Sequence, residues 1–161
     1  MKTLIVYAST YGFAEECAKT LAGQVQGETV AINITKEKEP ALAGFDNIVI
    51  GGSIYMGRVQ KQVSEFCVSN LNTLLTKRVA LFLCGGIAEN YEQNMQNSYP
   101  ASLLEAAVSK EYYGGELRKD KMSFAHKMLT SAIEKAGRKN GTPLPEAKPE
   151  NIGKTAVALN A

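Results

Sequence analysis

Tryptophan is absent from this 161-residue chain, histidine occurs once, and no apolar run comes near the length of a membrane span. The last absence argues against a transmembrane helix, which needs ~20 consecutive apolar residues. The opening run Met-Lys-Thr-Leu-Ile-Val-Tyr-Ala is too short and wrongly flanked for a secretory leader. Cysteine is scarce too: Cys17, Cys67 and Cys84 are odd in number and lack C-x-x-C spacing. That disfavours a disulfide framework and a zinc site, and makes a reducing cytoplasm the expected compartment. Among the carboxylates no spacing suggests a hydrolytic pair or a metal cluster.

Net charge is also small. Eighteen basic residues against 16 acidic ones leave +2, too little to imply nucleic-acid binding. Residues 118–139 are the exception, with seven basic and two acidic residues. A solvated helix face is the expected reading of that segment, and contact with an anionic membrane surface the less favoured one. With 45% hydrophobic residues, the chain has enough apolar content for one core, so residues 1–161 are expected to form a single domain.

Short apolar runs alternate with stretches of helical period. Leu4–Ala8, Thr29–Ile34, Asn47–Gly51 and Arg78–Cys84 read as strands, and Glu111–Tyr113 begins a fifth. Between them, Ala14, Cys17, Ala18, Leu21 and Val25 recur at helical steps, so residues 14–25 are expected to be a helix. Val59 to Leu74, Tyr99–Val108 and residues 123–137 carry similar stripes, and a last short helix is expected near Ile152–Leu159. Strands separated by helices five times over predict a doubly wound α/β fold with a parallel sheet covered on both faces. In such folds ligands bind outside the carboxyl ends of the strands, which makes the residues after each strand the informative ones.

Three of those strand ends carry compatible chemistry. Ser9-Thr10-Tyr11-Gly12-Phe13-Ala14 leads straight into a helix. Hydroxyls, a glycine and the helix-start amides can together hold a phosphate, although a merely capped helix would look the same. The loop has no Lys or Arg and matches neither the P-loop nor the G-x-G-x-x-G pattern. After the third strand, Gly51 and Gly52 allow close backbone approach, Gly57 permits a positive φ, and Tyr55 offers a flat stacking face. After the fourth, Cys84-Gly85-Gly86 leads through Asn90 to a second aromatic, Tyr91. Jointly they suggest an anchored phosphate with a planar ring between the second and third loops. No residue is singled out as catalytic. His126 lies on an apolar helical stripe and reads as a packed side chain, as do Cys17 and Cys67. Cys84 borders the ring site, with redox chemistry as second choice.

This arrangement resembles the flavodoxin family over residues 2–160. More narrowly, it is similar to the flavodoxin-like subfamily that includes menaquinone-dependent protoporphyrinogen oxidase. The matching pieces are Lys2-Thr3-Leu4-Ile5-Val6-Tyr7, Gly51-Gly52-Ser53-Ile54 with Gly57, Tyr113-Gly114-Gly115-Glu116-Leu117 and Pro149-Glu150-Asn151-Ile152. The resemblance implies a five-stranded sheet of order 2-1-3-4-5 and flavin mononucleotide (FMN) as cofactor. Ser9, Thr10, Tyr11, Gly12, Phe13 and Ala14 would hold its phosphate. Ser53, Ile54, Tyr55, Met56 and Gly57 would flank the ring on one side, with Cys84, Gly85, Gly86, Asn90 and Tyr91 on the other. Ala14 stands where such loops usually close with Thr or Ser. The implied role is electron transfer or a small oxidoreductase activity, with a redox protein or a quinone-level small molecule as partner. The alternatives are a protoporphyrinogen oxidase-type flavoenzyme and a binding module of the same fold that has lost its flavin. A phosphotransfer receiver would need acidic residues where Ala8-Ser9 and Gly51-Gly52 stand.

Overall fold

Alternation within each central strand decides the architecture. In the computed structural model, which describes residues 1–116, 128, 131, 132, 135, 136 and 146–161, strand β1 (Lys2–Ala8) lies between β2 (Glu28–Asn33) and β3 (Asn47–Tyr55). Beyond β3 come β5 (Arg78–Cys84) and β6 (Ser109–Tyr112), all parallel. Leu4, Val6, Ile48, Ile50, Val79, Leu81 and Leu83 share one apolar cluster. Their neighbours Ile5, Tyr7, Val49, Ala80, Phe82 and Cys84 belong to another. Successive side chains of a strand point to opposite faces, so an unbroken apolar run means a sheet buried on both sides.

Helices α2 (Lys61–Ser69), α3 (Leu71–Leu74), α4 (Tyr91–Ser98) and α5 (Ala101–Ala106) supply the first face. Helices α1 (Phe13–Ala22) and α6 (Pro149–Asn160) supply the second. The sheet order is β2-β1-β3-β5-β6, which is the expected 2-1-3-4-5 once the two-residue strand β4 (Arg58–Val59) is set aside. The chain reverses its winding between β1 and β3, and that is where a crevice opens at the carboxyl ends. No described helix is long and apolar enough to cross a membrane.

Several local expectations are revised. The third strand does not stop at Gly51 but runs to Tyr55, because β4 folds back and pairs Ile54 with Val59 and Tyr55 with Arg58. Gly51 serves packing rather than ligand approach: a Cβ there would lie 2.3 Å from the Phe82 ring. That ring stacks on Tyr113 with centroids 4.6 Å apart, an arrangement worth about 0.5–1.5 kcal/mol beyond area burial. The stretch Tyr91–Ser98, to which the sequence pattern assigns no element, forms α4; Tyr99, expected inside the next helix, ends it. Buried Tyr99 donates its hydroxyl to the Phe82 carbonyl at 2.8 Å. Most of the helix expected over 123–137, His126 and most of the basic segment lie outside the described residues.

Candidate functional site

The first loop is built to leave amides uncovered. No side chain caps α1: its N-cap is Gly12, at φ 95°. Ser9 Oγ instead accepts from the Gly12 amide at 2.9 Å, which fixes the turn. The first amides of a helix have no intrahelical acceptor, and without a side-chain cap they point outward as donors. Tyr11 and Phe13 flank the turn half-buried. Ala14, the second residue of α1, is fully buried in the core, so this position offers only its backbone N–H; a hydroxyl there would point inward. Glu15 puts an acid in the same first turn, but Lys19 holds it at 2.9 Å. The hydrogen bond from Lys19, then its charge, keeps the Glu15 carboxyl below the usual range.

The second loop is a hairpin tip. Met56 (φ 53°) and Gly57 (φ 80°) both lie in the left-handed region, the pattern of a type I′ turn between two paired residues. Asn-Gly is the usual choice there, and methionine at the first position stores strain. The tip projects outward: Tyr55 is 57% and Met56 80% exposed, with Arg58 beside them also exposed. No ion pair joins Arg58 to Glu89 or Glu92. Ser53 and Ile54, half-buried, form the stem of the hairpin.

The third loop abuts the second. Gly85 and Gly86 sit at φ 77° and 72°, and a Cβ on Gly86 would meet Ile54 Cγ2 at 3.2 Å. The Gly85 amide donates to the Gly114 carbonyl at 2.7 Å, tying the loop to the segment after β6. Asn90 ends a 3-10 turn, exposed, and Tyr91 opens α4. The two aromatics differ in availability. Tyr91 packs on Tyr112, ring centroids 6.1 Å apart, and burial, with Glu111 and Glu92 nearby, pushes its phenol up to about 12. Tyr55 is the more exposed of the two. Cys84 is sealed at the strand end. Burial foremost, and then a hydrogen bond with the Cys17 thiol, raises its pKa well above the ordinary value, which leaves an unreactive thiol.

Three residues of this rim escaped the sequence reading. Gln60 donates its Nε2 to Thr10 Oγ1 at 3.2 Å and so ties the first loop to the hairpin. Asn97 of α4 donates its Nδ2 to the Gly57 carbonyl at 3.1 Å. Asn94, one turn earlier on α4, reaches between Gly57 and Gly86. Only Tyr91 and Met95 are apolar in Tyr-Glu-Gln-Asn-Met-Gln-Asn-Ser, so α4 shows no stripe; their four-residue spacing is the one signal available. Among the described residues no His, Cys, Asp and Glu cluster could hold a metal ion. Among the described residues the rim brings together the uncapped start of α1, three positive-φ glycines and an exposed aromatic.

A doubly wound α/β protein with an uncapped helix start beside two glycine loops belongs to the class that binds mononucleotides. The flavodoxin domain family matches residues 4–142, and the chain belongs to that family. No curated protein matches the sequence. Among solved structures, a WrbA-like flavodoxin from Agrobacterium tumefaciens aligns at 18% identity and TM-score 0.49, covering 86% of this chain and 98% of that one. Flavodoxin 1 from Bacillus cereus aligns at 16% and 0.47, over 82% and 95%. A Fusobacterium nucleatum flavodoxin bound to flavin mononucleotide aligns at 12% and 0.46, over 73% and 72%.

The residues present fit FMN, the cofactor the family implies. The amides after Gly12 and the Thr10 hydroxyl suit a dianionic phosphate. Gly57, Gly85 and Gly86 present bare backbone between the two loops, and Tyr55 lies beside them 57% exposed.

Proposed function

We propose that this chain binds FMN and works as an electron-transfer flavoprotein, serving a redox protein or a quinone-level small molecule. Bound FMN supplies the capacity to take up and release electrons. The polypeptide supplies the anchor, the cleft and the electrostatics. The observation that carries the reading is the uncapped start of α1 beside the two glycine loops, all at the carboxyl ends of β1, β3 and β5. A carrier is favoured, since the hairpin tip is exposed and the described residues of the rim offer no acid–base pair. The narrower likeness to menaquinone-dependent protoporphyrinogen oxidase rests on the sequence pieces around Gly52, Gly114 and Asn151 alone, and the carrier reading stands ahead of it.

Titration of the purified chain with FMN and with riboflavin, followed by flavin absorbance and fluorescence, tests this. FMN should bind tightly and riboflavin less so. Thr10→Ala should weaken FMN by about 1–2 kcal/mol, the loss of a hydrogen bond to a charged group, and leave riboflavin unchanged. A chain that takes up neither flavin sinks the proposal. Arg58 offers a second handle, because its guanidinium stays charged, faces solvent and has no carboxylate partner in Glu89 or Glu92. At ~8 Å and an effective dielectric of ~20 it would favour an anionic reduced ring by about 2 kcal/mol before screening. Spectroelectrochemistry of Arg58→Glu should therefore show a more negative potential than the parent; equal potentials would remove Arg58 from the tuning.

A further inference from the structure

The structure assigns Asn94 as a direct polar contact for the edge of the flavin ring, an inference that rests on the FMN-binding reading above. Its side chain is only 6% exposed, which for a polar residue normally demands a partner. Among the described residues nothing donates to or accepts from its carboxamide. Nor is that carboxamide sealed. The buried, unpaired side-chain atoms are Thr29 Oγ1, Asn47 Oδ1 and Gln60 Oε1, and neither polar atom of Asn94 stands among them. What little surface Asn94 keeps therefore includes its functional group.

Its place is set by the two loops of the ring site. A Cβ built on Gly57 would lie 3.6 Å from Asn94 Oδ1, and one built on Gly86 would lie 3.4 Å from Asn94 Nδ2. The carboxamide thus sits in the seam between hairpin tip and glycine loop, with a donor on one side and an acceptor on the other. Next to it, Asn97 already spends its Nδ2 on the Gly57 carbonyl and its Oδ1 on Gln93, so the turn is held without help from Asn94. A neutral group offering one N–H and one C=O matches the alternating N–H and C=O groups along the pyrimidine edge of a flavin. A buried amide left without a partner costs free energy, and a ligand edge that completes it recovers that cost.

The test compares FMN and riboflavin binding, by fluorescence quenching, for the parent, Asn94→Leu and Asn94→Asp, with thermal unfolding of each flavin-free protein alongside. Asn94→Leu should weaken both flavins by a similar factor, on the order of threefold to tenfold for one neutral hydrogen bond, and shift the visible band of the bound ring. Thr10→Ala, in contrast, should weaken FMN alone. Asn94→Asp keeps the shape, so it covers the case in which the leucine variant does not fold. It should weaken both flavins and make the bound flavin harder to reduce. Parent-like affinities and spectra in the folded variants would overturn the assignment while the FMN reading stands. A parent that binds neither flavin overturns the FMN reading itself.

Discussion

The body of the sheet and its carboxyl rim obey opposite rules. In the body, Leu4, Ile5, Ile48, Val49, Leu81 and Phe82 are fully buried, and both faces are covered. At the rim beyond the strand ends, among the described residues, Met56 holds φ 53°, Gln60 Oε1 has no donor and Asn94 has no partner. Burial of apolar surface, at about 25 cal/mol per Å², gives the body a surplus of stability. The rim spends part of it on backbone strain at the hairpin tip, as sites that bind ligands commonly do, whereas unpaired polar atoms also occur in the body, at Thr29 and Asn47. Stability and function are thus separated between body and rim.

That separation can be tested from the body outward. Leu81→Ala removes a fully buried side chain from the middle of β5 and should cost about 2–5 kcal/mol in urea unfolding. Flavin affinity in the folded fraction should stay near the parent's. Loss of flavin binding before loss of stability would show that body and rim are coupled more tightly than argued here.

The second test uses pH. Burial pushes the Cys67 thiol up to about 12 from an ordinary 9.0. The folded state therefore keeps its proton where the unfolded chain loses it, so stability is intact below about pH 9 and falls as pH rises towards 12. At 1.36 kcal/mol per pKa unit, the ceiling on that loss is about 4 kcal/mol. Denaturant unfolding at pH 7, 9 and 10.5 should show a decline that Cys67→Ala flattens. An equally steep decline in the variant would assign the effect to other groups.

The smallest effect belongs to the rim. Met56→Asn places a residue that tolerates φ > 0 at the hairpin tip and should stabilise the protein by about 0.5–1 kcal/mol. Urea midpoints with equal slopes would show it. A destabilised variant would mean that the exposed methionine packs on something in solution.

The rim also shows where reading a sequence stops. Strand faces follow a local period of two, so Leu4-Ile5-Val6-Tyr7-Ala8 announces a strand buried on both faces before any partner is known. The turn after β1 was locatable for the same reason: Ser9 to Ala14 is one continuous stretch joining a strand to a helix. Its inner workings were not. Whether Ser9 caps α1 or braces the Gly12 turn depends on a φ of 95° at Gly12 that composition does not reveal.

By itself, the chain's pattern of apolar runs and helical stripes determined the layered α/β fold, and the motifs behind its family resemblance carried the sheet order. Only tertiary structure decided that Gly51 makes room for Phe82, that β3 continues into a hairpin, and that α4 exists at all. It alone brought Gln60 to Thr10 across 50 positions and Asn97 to Gly57 across 40. The physical reason is range. Periodicity is a property of neighbours along the chain, whereas a seam between two loops is fixed by strand register and helix packing, which no single segment encodes.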